Sequence, residues 1–303
     1  MTVTAHASDM AEPLSGGTGL APSNDPLVPA SQKTRSVMVY LSFVWLGLVL
    51  FSALFASLLP VGSYEVPIGR PRQMPQLGSL EMLLGTDQLG RSVLARVIYG
   101  ARVSLLVGTV SGIAGFVIGT TFGMIGGYFG RKIDAVITVV TDALLAFPAL
   151  ILLLALSSIL TPSLQTLMIG LTLIVVPTFV RLSRATTIAW NSREFIRAAR
   201  NMGAGNTRII SRELLPNVLP PIATYLPIVI AALIVAEGSL SFLGLGIPPP
   251  TPSWGGMIAS GKDVIANYPA LVFIPAGVIF LTVFSLNQAG DFLRVRLDRT
   301  MQD

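Results

Sequence analysis

The segment 193–221, REFIRAARNMGAGNTRIISRELLPNVLPP, is the most strongly charged part of a mostly apolar chain. Read as a helix, its first half places four apolar residues on one stripe, at positions i, i+3, i+4 and i+7: Phe195, Ala198, Ala199 and Met202. Gly203 can end this helix in the left-handed conformation, and Asn206 can cap a second short helix over residues 207–215. The spacing predicts a helix-turn-helix of about 25 residues that connects two membrane spans.

A basic segment between two spans can be a cytoplasmic loop that only fixes the topology. The order of residues here supports a second interpretation, because Arg197-Ala198-Ala199, Gly203 and Leu215-Pro216 together resemble the EAA loop of ABC importer permeases. In that family the loop docks into a cleft of a cytoplasmic ATPase. This chain departs from the pattern at Arg197, where glutamate is usual. The resemblance implies an ATPase-coupling site made of Phe195, Arg197, Ala198, Ala199, Met202, Gly203, Leu215 and Pro216.

The composition indicates an integral membrane protein. Of the 303 residues, 52% are hydrophobic and only 12% are charged, and the mean hydropathy is +0.73. Soluble domains average about 25% charged residues. The net charge of +5 comes from loops between apolar runs, so a positive-inside bias explains it better than a nucleic-acid partner. The chain has no cysteine, and its one histidine, His6, lies in a polar tail, which argues against a metal site.

Apolar runs divide the chain into an all-α protein with six transmembrane helices. Residues 1–36 read as a disordered cytoplasmic tail. Residues 60–102 read as an extracytoplasmic loop with an amphipathic helix that Thr86 or Asp87 can cap. Residues 103–290 read as a five-helix core that includes a cytoplasmic coupling loop at 181–220, and residues 291–303 read as a cytoplasmic tail. The predicted spans are 37–59, 103–127, 135–160, 163–180, 221–243 and 270–290.

Glycines in the second predicted span recur every three or four residues, from Gly108 to Gly126. Such spacing lines one face of a helix with hydrogen atoms, so that another helix can pack against its backbone. In the third span, Pro148 is expected to cause a kink.

Three further strings extend the resemblance from about residue 84 to residue 298. LGTDQLGRSVLARVIYGARVSLLVG (84–108) is similar to a segment of the dipeptide/oligopeptide/nickel permeases, with Ser92 and Ala95 in place of the usual aspartate and serine. AEGSLSFLGLGIPPPTPSWGGMI (236–258) and the ending 287–298 are similar to the same subfamily. The resemblance implies the type I ABC importer permease fold. It also implies a second homologous permease, two ATPases, an extracytoplasmic binding protein, and import of di- or oligopeptides, or of nickel or another small solute.

Two acidic residues inside predicted spans are candidates for the translocation path, because intramembrane carboxylates are functional by default. Asp142 lies two helical turns from the basic turn at 131–132, so an ion pair or a cap is an equal alternative. Glu237 lies near the outer end of its span and can face either the path or interfacial water. A self-sufficient secondary transporter or channel would need coupling carboxylates at the midplane and often has internal repeats; these two acids near span ends offer weak support for it.

The distribution of Lys and Arg predicts cytoplasmic N- and C-termini, and the family resemblance implies a bacterial inner membrane. Fourteen lie in the segments that this topology places inside and six in those placed outside. The sequence has no GxxxxGK[ST] loop, so ATP and magnesium are expected in partner ATPases, and we expect this chain to bind no cofactor and to catalyse no reaction.

Overall fold

The computed structural model describes residues 30–161 and 163–300, and it describes side chains for residues 37–161 and 163–297. The predicted tail 1–36 therefore lies largely outside the described residues. Within them every regular element is helical, apart from two isolated bridges that join Pro67 to Arg91 and Thr86 to Ser92. The predicted all-α class is confirmed.

The helices are numbered here in chain order. They are α1 (Ala30–Leu54), α2 (Val93–Phe129), α3 (Arg131–Ala146), α4 (Ala149–Ile159), α5 (Leu164–Asn191), α6 (Glu194–Asn201), α7 (Asn206–Ala223), α8 (Leu226–Phe242), α9 (Trp254–Gly261) and α10 (Ala270–Thr300). Four of them hold apolar stretches long enough to cross a bilayer: α1, α2, α5 and α10. The other predicted spans, the third and the fifth, correspond to bent helix pairs, α3 with α4 and α7 with α8.

The break between α3 and α4 is far sharper than the expected kink. The two helix axes differ by 87°, and the bend falls at Phe147 and Pro148. Proline has no N–H to donate and disfavours the helical conformation of the residue before it. Phe147 is accordingly extended, with φ −84° and ψ 124°, so that α4 starts in a new direction.

The prediction of a separate amphipathic helix within residues 60–102 is wrong. Residues from Val93 onward form the start of α2, a single helix of 37 residues that is about 55 Å long at the standard rise. The cap is Ser92, whose hydroxyl accepts the Ala95 N–H at 3.1 Å, and not Thr86 or Asp87. No proline interrupts 93–129, so the interfacial part and the span stay one helix.

Two other predicted spans end too early in the sequence. Helix α5 continues for eleven residues past Val180, and α10 continues through the predicted tail to Thr300. In both cases the added residues are polar. A span predicted from an apolar run ends where charged residues begin, although the helix continues beyond that point.

The core forms where α2 packs along α5, and the predicted glycine face of α2 is confirmed there. A Cβ placed on Gly123 would lie 2.5 Å from the Val180 carbonyl oxygen, and one on Gly119 would lie 2.8 Å from the Val176 carbonyl oxygen. Phe179 fills the adjacent core from α5, with its ring centroid 5.5 Å from that of Phe116. Close backbone contact of this kind is how helices associate in a bilayer, where apolar burial alone gives little driving force.

Candidate functional site

The predicted turn after the first short helix is confirmed. Gly203 has φ +82°, and its N–H donates to the Arg200 carbonyl at 2.9 Å. The next residue, Ala204, donates to the Ala199 carbonyl at 3.0 Å. Glycine accepts this left-handed conformation without steric cost, so α6 ends there and the chain reverses into α7.

The second helix differs from the prediction at both ends. Asn206 caps nothing: its Oδ1 accepts the Tyr128 hydroxyl at 2.8 Å, and α7 follows Gly205 without a side-chain cap. The helix also does not end at Leu215 but runs to Ala223 through a π-helical turn at Ile209–Leu214. Pro216 lies in the first turn of the α-helical segment that follows this wider turn, a position that tolerates proline.

The stripe of four apolar residues is divided between the two faces of α6. Ala199 is only 8% exposed and faces inward together with the fully buried Ile196. Phe195 and Met202 are 39% and 82% exposed, and Ala198 is exposed between them. We call Phe195, Ala198 and Met202 the docking face. Sequence reasoning missed Ile196, although its spacing of three from Ala199 marks an alternative apolar stripe.

The other predicted coupling residues also lie at the surface. Arg197 is exposed, and its Nη2 lies 3.7 Å from Glu194 Oε1 in an exposed pair that contributes little energy. Gly203, Leu215 and Pro216 are exposed as well. The structure therefore places the α6 residues and the turn at Gly203 at the surface, directly before the start of α7.

Polar contacts fix this helix-turn-helix to the ends of α2 and α5. The guanidinium of Arg200 stacks 5.3 Å from the Tyr128 ring centroid and donates to Asn191 Oδ1 at 2.8 Å. Tyr128, at the end of α2, in turn donates to Asn206. Sequence reasoning missed Tyr128 and Asn191, because a side-chain contact between distant residues leaves no periodic signal in either segment.

Asp142 forms an ion pair, which is the structural alternative named from the sequence. Its Oδ1 lies 2.7 Å from Arg181 Nη2, and both side chains are more than half exposed. A second pair joins Asp134 of α3 to Arg184 of α5. Both pairs connect α3 to α5. The exposed Asp142 pair contributes little energy.

Glu237 lies inside the fold and does not reach interfacial water. It is fully buried, and its two carboxylate oxygens accept the hydroxyls of Ser241 at 2.8 Å and Ser104 at 3.1 Å. The Ser104 oxygen also accepts the backbone N–H of Trp254 at 3.2 Å. This carboxylate therefore joins α2, α8 and α9, and its oxygens have the hydrogen bonds that a buried acidic group needs.

Comparisons with known proteins agree with this architecture. The family model for binding-protein-dependent transport system inner membrane components matches residues 119–303. The dipeptide transport system permease protein of Alkalihalophilus pseudofirmus is 40% identical over 82% of each chain. The di/tripeptide transport system permease protein of Pseudomonas aeruginosa is 35% identical over 84% of this chain and 86% of its own.

Among solved structures, the inward-facing methionine ABC transporter MetNI has a chain that superposes with a TM-score of 0.56 at 22% identity. The match covers 66% of this chain and 95% of that one, and it shows that the two share the type I permease fold. With a family model that covers more than half of its length, the chain belongs to the inner membrane components of binding-protein-dependent transport systems, the permease subunits of ABC transporters.

Proposed function

We propose that this permease subunit imports di- or oligopeptides across the bacterial cytoplasmic membrane, driven by ATP that separate subunits hydrolyse. The observation that carries the coupling part is the docking face, an apolar surface on a short helix held at the end of the bundle by Tyr128, Asn191 and Asn206. Exposed apolar surface of this kind marks a contact with another protein. The absence of a GxxxxGK[ST] sequence means that the energy comes from elsewhere.

The peptide cargo rests on the relatives. The two most informative ones are named for dipeptide and di/tripeptide transport, and both cover more than four fifths of the chain. Nickel or another small solute stays the alternative cargo, because the resemblance seen in the sequence extends to nickel permeases.

The structure offers a direct route for movement from the docking face into the bundle. An ATPase that contacts Phe195, Ala198 and Met202 moves α6, and α6 carries Arg200. Arg200 touches Tyr128 at the end of α2 and Asn191 at the end of α5, so displacement of α6 pulls on the two helices that form the core. Rigid-body movement of packed helices about such a contact is a known form of gating.

The full transporter proposed here has four further proteins. A second homologous permease completes the path, two ATPases bind ATP and magnesium, and an extracytoplasmic binding protein delivers the cargo. The N- and C-termini and the docking face lie on the cytoplasmic side, where the excess of Lys and Arg is expected.

Co-purification and reconstitution test this proposal. The tagged chain is isolated from membranes with its companions, and the complex is placed in liposomes with the binding protein and a labelled dipeptide. We expect a second permease and ATPase subunits to co-purify and uptake to require ATP. Uptake by the chain alone, without any ATPase, would identify a secondary transporter and contradict the proposal.

A further inference from the structure

A pair of adjoining cavities lies beside the loop at 84–92 and helix α9. Their volumes are about 510 and 250 Å³, and both are lined by Arg91, Arg96, Pro249 and Ser260. The larger one lies in the size range of small-molecule sites, about 300–1,000 Å³. Its lining also includes Ser241, Thr251 and Ser253.

The charge on this wall is unbalanced. Asp87 is the one acidic side chain that lines either cavity among the described residues, and it faces two guanidinium groups. Its oxygens are already occupied: Oδ1 accepts the backbone N–H groups of Leu89 at 2.8 Å and Arg91 at 3.0 Å, and Oδ2 accepts Nε of Arg91 at 2.8 Å. Glu237 is buried behind Ser241 and does not reach the cavity. One positive charge is thus left without a matching negative charge.

That surplus charge belongs to Arg96. Its side chain is only 8% exposed, and its two polar contacts are long: Nε lies 3.4 Å from Asp87 Oδ2, and Nη1 lies 3.4 Å from the Tyr64 carbonyl oxygen. Good N–H to oxygen hydrogen bonds measure about 2.7–3.2 Å. A guanidinium has five N–H donors, so a largely buried one with two long contacts has donors to offer to a ligand.

We propose that Arg96, with Arg91 beside it, binds the C-terminal carboxylate of a peptide in this cavity. A guanidinium presents a planar fork that matches a carboxylate with two parallel hydrogen bonds, and such charge-assisted bonds are strong in a site screened from water. The inference rests on the proposed peptide import and names a site for the cargo within this chain.

An acidic loop of the binding protein is the competing occupant. The recessed position of Arg96 favours the small ligand, because a carboxylate on a folded partner's surface would more readily meet Arg70, which is exposed on the loop before α2. A free peptide can enter a cavity of about 510 Å³, and its carboxylate can reach the guanidinium at the wall.

Thiol labelling tests the site without depending on transport. The chain has no cysteine, so Ser260→Cys places a single thiol of this chain on the cavity wall, and Ser79→Cys places one at an exposed control position. The purified transporter in detergent is treated with a maleimide, with or without dialanine or dialanine amide, and labelling is read on this chain after electrophoresis. We expect dialanine at about ten times its Kd to slow labelling of Ser260→Cys about tenfold. Labelling of Ser79→Cys should not change, and the amide should protect little.

Arginine variants then assign the protection to the guanidinium. In the Ser260→Cys background, Arg96→Gln should abolish protection, and Arg96→Lys, which keeps the charge but loses the fork, should raise the protecting concentration about ten- to hundredfold. Arg70→Gln is the matched control and should leave protection intact. Equal protection by the two peptides, no protection by either, or protection by the binding protein alone would each overturn this site. Uptake of labelled dipeptide by the same complex tests peptide import separately, so that uptake without protection would refute only the cavity site.

Discussion

At the scale of single residues, the direction of each side chain on α6 decides what a substitution does. Ala199 and Met202 are both apolar and three positions apart, yet one faces the bundle and the other faces out. The four-residue stripe expected from the sequence treats them alike. Only the packing of Ile196 and Ala199 against the fold separates a structural role from a docking role.

Charged substitutions at these two positions should therefore have different effects. Met202→Glu should change the free energy of unfolding by about 0.5 kcal/mol or less, as at most exposed sites, while it abolishes peptide-stimulated ATP hydrolysis. Ala199→Glu should destabilise the chain by several kcal/mol, on the order of 3–5, because it buries a charge without a partner. Thermal unfolding in detergent and ATPase assays measure both. Normal coupling in Met202→Glu would argue against the docking face.

Glu237 offers a second test at this scale. Glu237→Ala leaves the Ser104 and Ser241 hydroxyls without their acceptor and opens a cavity, so we expect a loss of about 2–4 kcal/mol in the free energy of unfolding. Glu237→Gln retains one carbonyl acceptor and most of the volume, and should lose about half as much. Chemical denaturation of the two variants in the same detergent compares them. An alanine variant as stable as the parent would show that these hydrogen bonds add nothing net.

At the scale of elements, the sequence predicts which segments are helical better than where they bend or end. The apolar runs and the glycine spacing of α2 identify the spans and the packing face, because both depend on local pattern. Pro148 predicts a kink but not its 87° size. The π-helical turn before Pro216 and the extension of α5 fall in polar segments that carry no apolar signal. The links from Asn206 and Arg200 to Tyr128 join segments about 70 residues or more apart, so periodicity contains no trace of them.

The close approach of α2 and α5 predicts different outcomes for two glycines. Gly123→Ala puts a Cβ 2.5 Å from the Val180 carbonyl oxygen and 2.8 Å from Ser183 Cβ, so the helices must separate, at a cost of about 1–3 kcal/mol. Gly47→Ala in α1 meets nothing within 4 Å and should stabilise the helix by about 0.5–1 kcal/mol. Melting temperatures of the purified variants compare them. A neutral Gly123→Ala would mean that the helices are not in backbone contact.

At the scale of the whole molecule, the proposed mechanism makes the chain a bundle that transmits movement, while its partners carry out the energy-releasing reaction. Apolar packing and the hydrogen bonds of Glu237 join the helices of the membrane part. Ion pairs from Asp134 and Asp142 connect α3 to α5. Polar contacts connect the helix that carries the docking face to both core helices, α2 and α5. In the two proposals made above, peptide recognition and ATP-driven movement act at separate sites of the same chain.

Site-specific crosslinking from the docking face tests the coupling role most directly. The chain has no cysteine, so Met202→Cys in the purified transporter, treated with a short thiol crosslinker, reports what touches α6. Leu77→Cys, equally exposed but on the loop before α2, is the control. The account predicts that Met202→Cys crosslinks to the ATPase subunit and that the yield changes when ATP is bound, while Leu77→Cys gives no such product. An ATPase crosslink from Leu77→Cys, with none from Met202→Cys, would contradict it.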